Sequence, residues 1–188
     1  MSDTVNGSVA RRRVRTALAA GAVAAALLAA AVPAAAPATA RSAGLVAAPV
    51  PACRGGQLVP GGAERLGADA VRVTVVNEGP TACVLRGHPT VALAGQGSPG
   101  SARALAVVRE GGVRSVVLPV GGVAQTRIAF APVLGEADGY CASGIEPFAA
   151  PSMVVGVAGA RLQVAPDDGG NFAVCGTVVR ATAFRPAS

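Results

Sequence analysis

This sequence predicts an all-β fold, an immunoglobulin-like antiparallel β-sandwich with two disulfides preceded by a cleavable signal peptide, and three observations carry that prediction. Short valine-rich runs recur between clusters of Gly, Pro, Asn and Asp, the pattern of a sandwich or barrel. Beyond the first forty positions, apolar residues rarely recur at three-to-four spacing, and Val and Gly, both weak helix formers, dominate. Four cysteines, Cys53, Cys83, Cys141 and Cys175, follow an export leader, and an oxidising compartment makes them disulfide partners rather than nucleophiles or metal ligands.

The leader comes first in the chain. Arg11-Arg12-Arg13-Val14-Arg15 precede an apolar run from Ala17 to Val32, and Ala38-Thr39-Ala40 is a small-residue cleavage site, so residues 1–40 read as a signal peptide. The run is mostly alanine and shorter than the roughly 20 residues of a spanning helix, which predicts no membrane insertion after cleavage and a secreted product, extracellular or cell-wall associated. No cysteine sits at the end of the run to carry a lipid. All 16 basic residues are arginine, and losing four of them with Asp3 lowers the formal +6 to about +3. Those left are scattered from Arg41 to Arg185; nucleic acid, which needs cations converging on one face, is not an expected partner. Residues 41–52 hold two prolines and no sustained period, and read as a flexible linker. One domain, 53–188, follows.

Its clearest strand is Ala70 to Val76, where Val71, Val73 and Val75 alternate with Arg72 and Thr74, placing the valines in the core. Asn77-Glu78-Gly79-Pro80 ends it as a turn. Further candidates are Gln57–Val59, Cys83–Leu85, Val91–Leu93, Leu105–Arg109, Arg114–Leu118, Ala124–Phe130, Met153–Val157, Arg161–Val164 and Cys175–Ala183; about seven to nine are expected to hold. The longest loop runs from Ala131 to Pro147 and carries Cys141.

Four cysteines allow three pairings. If the first strand starts just after Cys53 and pairs antiparallel with the strand ending at Asn77, its start lies beside the other's end. That places Cys53 near Cys83 and leaves Cys141 for Cys175. A four-thiolate zinc site is disfavoured because short paired C-x-x-C spacings are missing.

The segment Val75-Val76-Asn77-Glu78-Gly79-Pro80-Thr81-Ala82-Cys83-Val84-Leu85-Arg86-Gly87-His88-Pro89-Thr90-Val91 resembles the signature of a family of secreted actinobacterial proteins, the domain of unknown function 4232. That signature runs from an apolar strand through Asn and a short turn to Cys-x-Leu-x-Gly-Tyr-Pro, with His88 here in the tyrosine position. Leu118-Pro119-Val120-Gly121-Gly122-Val123-Ala124 resembles the family's Leu-x-Pro-Gly-Gly-x-Ala turn with its proline one place early. The later Cys141 and Cys175 also fall where the family keeps cysteines. The resemblance, over roughly Cys53 to Pro186, implies a secreted or surface-tethered β-sandwich and brings no catalytic residues.

Little chemistry is legible. His88 is the sole histidine, which excludes a blue-copper site and leaves one possible base for a serine triad; no serine sits in a Gly-x-Ser-x-Gly turn. Between Gly87 and Pro89 it reads as a turn or rim residue. Gly95-Gln96-Gly97-Ser98-Pro99-Gly100 matches G-x-G-x-x-G, but Pro99 removes a donor and no acid lies at the distance a ribose contact requires; a hairpin loop is expected. Asp167-Asp168-Gly169-Gly170-Asn171 lacks calcium-loop spacing and reads as a turn. Glycosidase chemistry needs two facing carboxylates, for which Glu78 and Glu146 are one conceivable pair. There is no Trp; Phe130 and Phe184 end apolar strands and belong to the core, leaving Tyr140, with Phe148 behind it, as the conceivable exposed anchor.

These readings predict no cofactor, no metal and no catalytic residue. The expected function is a non-enzymatic module that binds a protein or cell-wall component through its loops, Ala131–Pro147 and Gly87–Gly100, with His88, Tyr140 and Phe148 as possible contacts. The alternatives are an extracellular polymer hydrolase using paired carboxylates and a purely structural envelope protein.

Overall fold

The computed structural model describes residues 48–135 and 139–187. The expected signal peptide, the linker as far as residue 47, residues 136–138 of the long loop and the last residue lie outside the described residues. Twelve strands form among the described residues: β1 (Leu58–Arg65), β2 (Ala70–Asn77), β3 (Cys83–Leu85), β4 (Thr90–Ala94), β5 (Arg103–Glu110), β6 (Val116–Leu118), β7 (Val123–Pro132), β8 (Pro147–Ala150), β9 (Ser152–Val157), β10 (Ala160–Val164), β11 (Phe172–Thr182) and β12 (Arg185–Pro186). Every strand expected from the sequence has a counterpart, more than the seven to nine anticipated. β1 continues through Pro60-Gly61-Gly62, a turn signal, because a bulge between Pro60 and Gly62 absorbs it; Gly62 sits there at φ 143°, where a side chain would be strained. β8 and β12 were not expected.

The strands follow the order β1-β2-β7-β11-β5-β4-β9-β10, with β8 on β11 and β12 on β7, and β3 pairs β6 separately. β5 belongs to both halves of this path. Its first residues, Arg103 to Leu105, pair antiparallel with β4, and Ala106 to Glu110 pair parallel with β11. This corrects the all-antiparallel expectation: β5 and β11 are separated by the long connection a parallel neighbour requires. β1 and β10, the two ends of the path, lie against each other, which makes the sheet nearly barrel-like.

Three groups form a clasp across that seam. The Asp167 N–H donates to the Ala63 carbonyl and the Ala63 N–H to Asp167 Oδ1, both at 3.0 Å. Beside them Arg65 pairs with Asp168 and donates to the Asn171 carbonyl at 2.6 Å. The turn at 167–171 thus closes the sheet.

Inside, Val71, Val73 and Val75 are fully buried as expected, together with Ile128, Phe172 and Val179 from one half and Leu93, Met153 and Val155 from the other. Each such side chain contributes roughly 1.5–3 kcal/mol by burial. Phe130 and Phe184 are core residues.

Two disulfides, Cys53–Cys83 and Cys141–Cys175, stand at opposite ends of the strands. The first follows from the register anticipated above, Leu58 pairing with Asn77. Pro51 and Ala52, expected in the linker, already belong to the fold: the Val84 N–H donates to the Pro51 carbonyl at 2.7 Å and Ala52 runs parallel to Val84. The Cys53 end gathers the connections at 78–89, 111–122, 158–159 and 183–187. The Cys141 end gathers those at 66–69, 95–102, 133–146 and 165–171.

Candidate functional site

The groups that suggested chemistry lie apart. His88 is half-buried at the Cys53 end, where its Nε2 donates to the carbonyl of Glu110 at 3.0 Å. A carbonyl orients the ring but gives no base or acid to work with it. Glu78 follows β2 at the same end, whereas Glu146 precedes β8 at the other, so the two cannot face each other across one cleft. The carboxylates of Asp167 and Asp168 are engaged by Ala63, Arg65 and Gly170 in and beside the clasp. The Asp168 carboxyl is held below its ordinary pKa, first by the Gly170 N–H and then by Arg65. No group of three or more His, Cys, Asp or Glu converges on a metal position among the described residues.

The glycine-rich segment at 95–100 is the β4–β5 hairpin loop, as expected. It points carbonyls, not N–H groups, at its neighbours: the Gly95 carbonyl accepts from Gln163 Nε2 at 2.8 Å and the Pro99 carbonyl from Arg161 at 2.6 Å. A phosphate cradle needs the opposite polarity.

The β7–β8 loop carries the largest exposed ring, Tyr140, which is 60% exposed. Leu134 and Ile145 stand exposed on the same loop. It is anchored three ways: Leu134 and Tyr140 exchange backbone hydrogen bonds at 2.8 Å, Cys141 is bonded to Cys175 of β11, and β8 then pairs with β11. Phe148 is not a free anchor behind Tyr140. It is half-buried, packs on the core, and is covered by the Arg103 guanidinium 4.8 Å from its ring centre, a cation–π contact. Because Arg103 begins β5 and His88 bonds to Glu110 at its end, Phe148 and His88 are separated by the length of that strand, about 20 Å. The three anticipated contact residues therefore do not form one site. Leu134 and Ile145 were missed by sequence reasoning; the available signal was aliphatic residues inside a loop that also holds a cysteine.

The segment from Val75 to Val91 is organised around Asn77, which is fully buried. Its Nδ2 donates to the carbonyls of Thr81, Leu118 and Pro119 at 3.0, 3.1 and 3.1 Å, and its Oδ1 accepts from the Gly79 N–H at 3.0 Å. The Asn77 backbone bonds to Gly121 and Gly122. One amide thus ties the turn after β2 to the Leu118–Gly122 turn before β7, beside the buried Cys83. The family model for a domain of unknown function, DUF4232, matches residues 53–185. The chain belongs to the DUF4232 family. No curated protein and no solved structure matches it. In this DUF4232 domain the signature residues Asn77, Cys83 and Gly121-Gly122 build the Cys53 end; they hold the scaffold and touch no reactive group.

Proposed function

We propose that this DUF4232 domain is a secreted, non-enzymatic binding module, an immunoglobulin-like sandwich that engages a protein or cell-wall component through its β7–β8 loop. The observation that carries the reading is the exposed apolar trio Leu134, Tyr140 and Ile145 on a loop tied to β11 by Cys141–Cys175. A pre-anchored loop loses little conformational entropy on binding, and an exposed tyrosine on a rigid support is a common interface anchor. The export leader and two disulfides support an extracellular setting. The polymer hydrolase draws no support from the carboxylates, since Glu78 and Glu146 stand at opposite ends and Asp167 and Asp168 are engaged by the clasp.

The test is retention of a partner from envelope extract by the immobilised protein, compared with the Leu134→Ser, Tyr140→Ser double variant. One partner held by the wild type and lost by the variant, at unchanged melting temperature, is expected. Equal retention by both proteins would sink the loop assignment, and the lack of any specific partner would leave the structural envelope role.

A further inference from the structure

Opposite the β7–β8 loop, the Cys53 end brings together arginines that are far apart in the sequence. Ala52 bridges Val84 in parallel, and Arg54 and Arg86 each follow two residues beyond that bridge. The β3–β6 register ends at Leu85 and Val116, with Arg86 just past the one and Ser115 and Arg114 just past the other. Neighbouring chains lie about 5 Å apart, so the folded chain gathers these three arginines at one end. Arg109, next to the Glu110 whose carbonyl His88 reaches, and Arg185, in β12 against β6, stand at the same end. All five are exposed, and none belongs to an ion pair among the described residues, where Arg65, Arg72 and Arg180 are the paired arginines. Glu78 is the exposed acid nearby, because Glu110 faces Arg180.

Aliphatic side chains stand among these cations. Val117, in β6, is 58% exposed, Val113 and Val120 are exposed on the connections either side of it, and Val50 is exposed beside Val84 and Arg86. A depression of about 400 Å³, lined by Val50, Ala52, Val84 and Arg86, opens on the same face. The acids Asp69, Glu146, Asp167 and Asp168 lie at the other end.

We infer that the Cys53 end docks on an anionic phospholipid surface, its arginines on the headgroup phosphates and its valines at the headgroup–acyl boundary. Charge complementarity is one argument: a basic face with interspersed aliphatic residues suits a surface that is charged outside and apolar just below. The depression is the other: it sets the apolar surface of Val50, Ala52 and Val84 directly beside Arg86, cation and aliphatic surface in one place. Nucleic acid fits less well, since among the described residues this end offers no exposed Phe, Tyr or Trp ring for base stacking. The docked domain lies on the membrane rather than in it and points the β7–β8 loop away.

The test is co-sedimentation of the protein recovered from the medium of expressing cells with phosphatidylglycerol vesicles, against neutral phosphatidylcholine vesicles, at low and high salt. Binding selective for the anionic vesicles and weakened by salt is expected. Each arginine contributes about fivefold, so the Arg54→Gln, Arg86→Gln, Arg114→Gln variant should bind about 100-fold more weakly. A variant with the same charge change elsewhere, Arg103→Gln, Arg127→Gln, Arg161→Gln, should lose less than about fivefold. Should the first variant fail to fold, Arg114→Gln alone should still show its single fivefold step. Equal binding to both vesicle types would point to a retained leader and overturn the inference. Equal losses in the two triple variants would reduce it to net charge, and capture on soluble polyphosphate without vesicle binding would replace the bilayer with a soluble polyanion.

Discussion

Replacing Asn77 by alanine tests whether one buried amide organises the Cys53 end. The side chain shares its two Nδ2 N–H donors among three carbonyls and accepts one bond at Oδ1, in a fully buried position. Truncation leaves the Gly79 N–H, itself buried, without its acceptor, a loss of about 1–3 kcal/mol, and removes two N–H donors worth about 1 kcal/mol each. With partial relaxation, the expected destabilisation is about 3–4 kcal/mol, or a fall in melting temperature of about 10 °C for a domain of this size. Urea and thermal unfolding followed by circular dichroism, with both disulfides oxidised, measure it. Asn77→Asp sharpens the test. It retains the acceptor but turns a carboxylate toward three carbonyl oxygens, which disfavours its charged form and raises its folded pKa above about 3.9. Stability of that variant is then greatest below the unfolded pKa and falls as pH rises through the folded one. A cost under about 1 kcal/mol for Asn77→Ala, within the range of ordinary surface changes, would refute the organising role.

Two further outcomes follow from the same geometry. The depressed pKa of Asp168 means that its contribution to the clasp is present above its ordinary value of 3.8 and is lost as pH falls through the lower folded value; the stability gap between wild type and Asp168→Asn should therefore close on acidification, and a gap that persists in acid would contradict the assignment. Removing either disulfide by paired Cys→Ala substitution should cost about 3.5–4 kcal/mol, the two being similar because their cysteines are 30 and 34 residues apart; denaturant unfolding checks this, and a difference above about 2 kcal/mol would show that native-state effects outweigh loop closure.

Strand β2 was readable because its alternation survives untouched: Val71, Val73 and Val75 point one way, and their neighbours pair across the surface, as Arg72 does with Glu64. β1 was readable only at its start, since Pro60-Gly61-Gly62 is chemically a turn and becomes strand through a bulge. β8, four residues containing a proline and two alanines, has no local signal and exists because β11 offers it an edge. The Cys53–Cys83 pairing was legible because one hairpin register determines it, whereas the parallel contact of β5 with β11 is a tertiary choice without a local mark. Asn77 announced a turn, and Thr81 belongs to it, but the carbonyls of Leu118 and Pro119 lie about forty residues onward. The candidate site suffered most. Tyr140 was identifiable as an unusual residue in a long loop, yet its separation from His88 depends on the course of β5. The grouping of arginines was invisible because a bridge and a strand register, not spacing in the chain, bring Arg54, Arg86 and Arg114 to one end.

β11 occupies the middle of the sheet, between β7 and β5, although it is the last long strand in the sequence. A chain delivered N-terminus first cannot complete the sheet until β11 has emerged, because β11 joins the β1-β2-β7 part to the β5-β4-β9-β10 part. Non-local pairing of this kind forms slowly. The sheet therefore stays open until β11 is delivered, whereas Cys53–Cys83, set by the β1–β2 register, needs nothing from β11 and Cys141–Cys175 does. Loss of β11 by a frameshift or clipping before Phe172 would leave β5 and β7 with exposed edges, the form most open to aggregation and proteolysis.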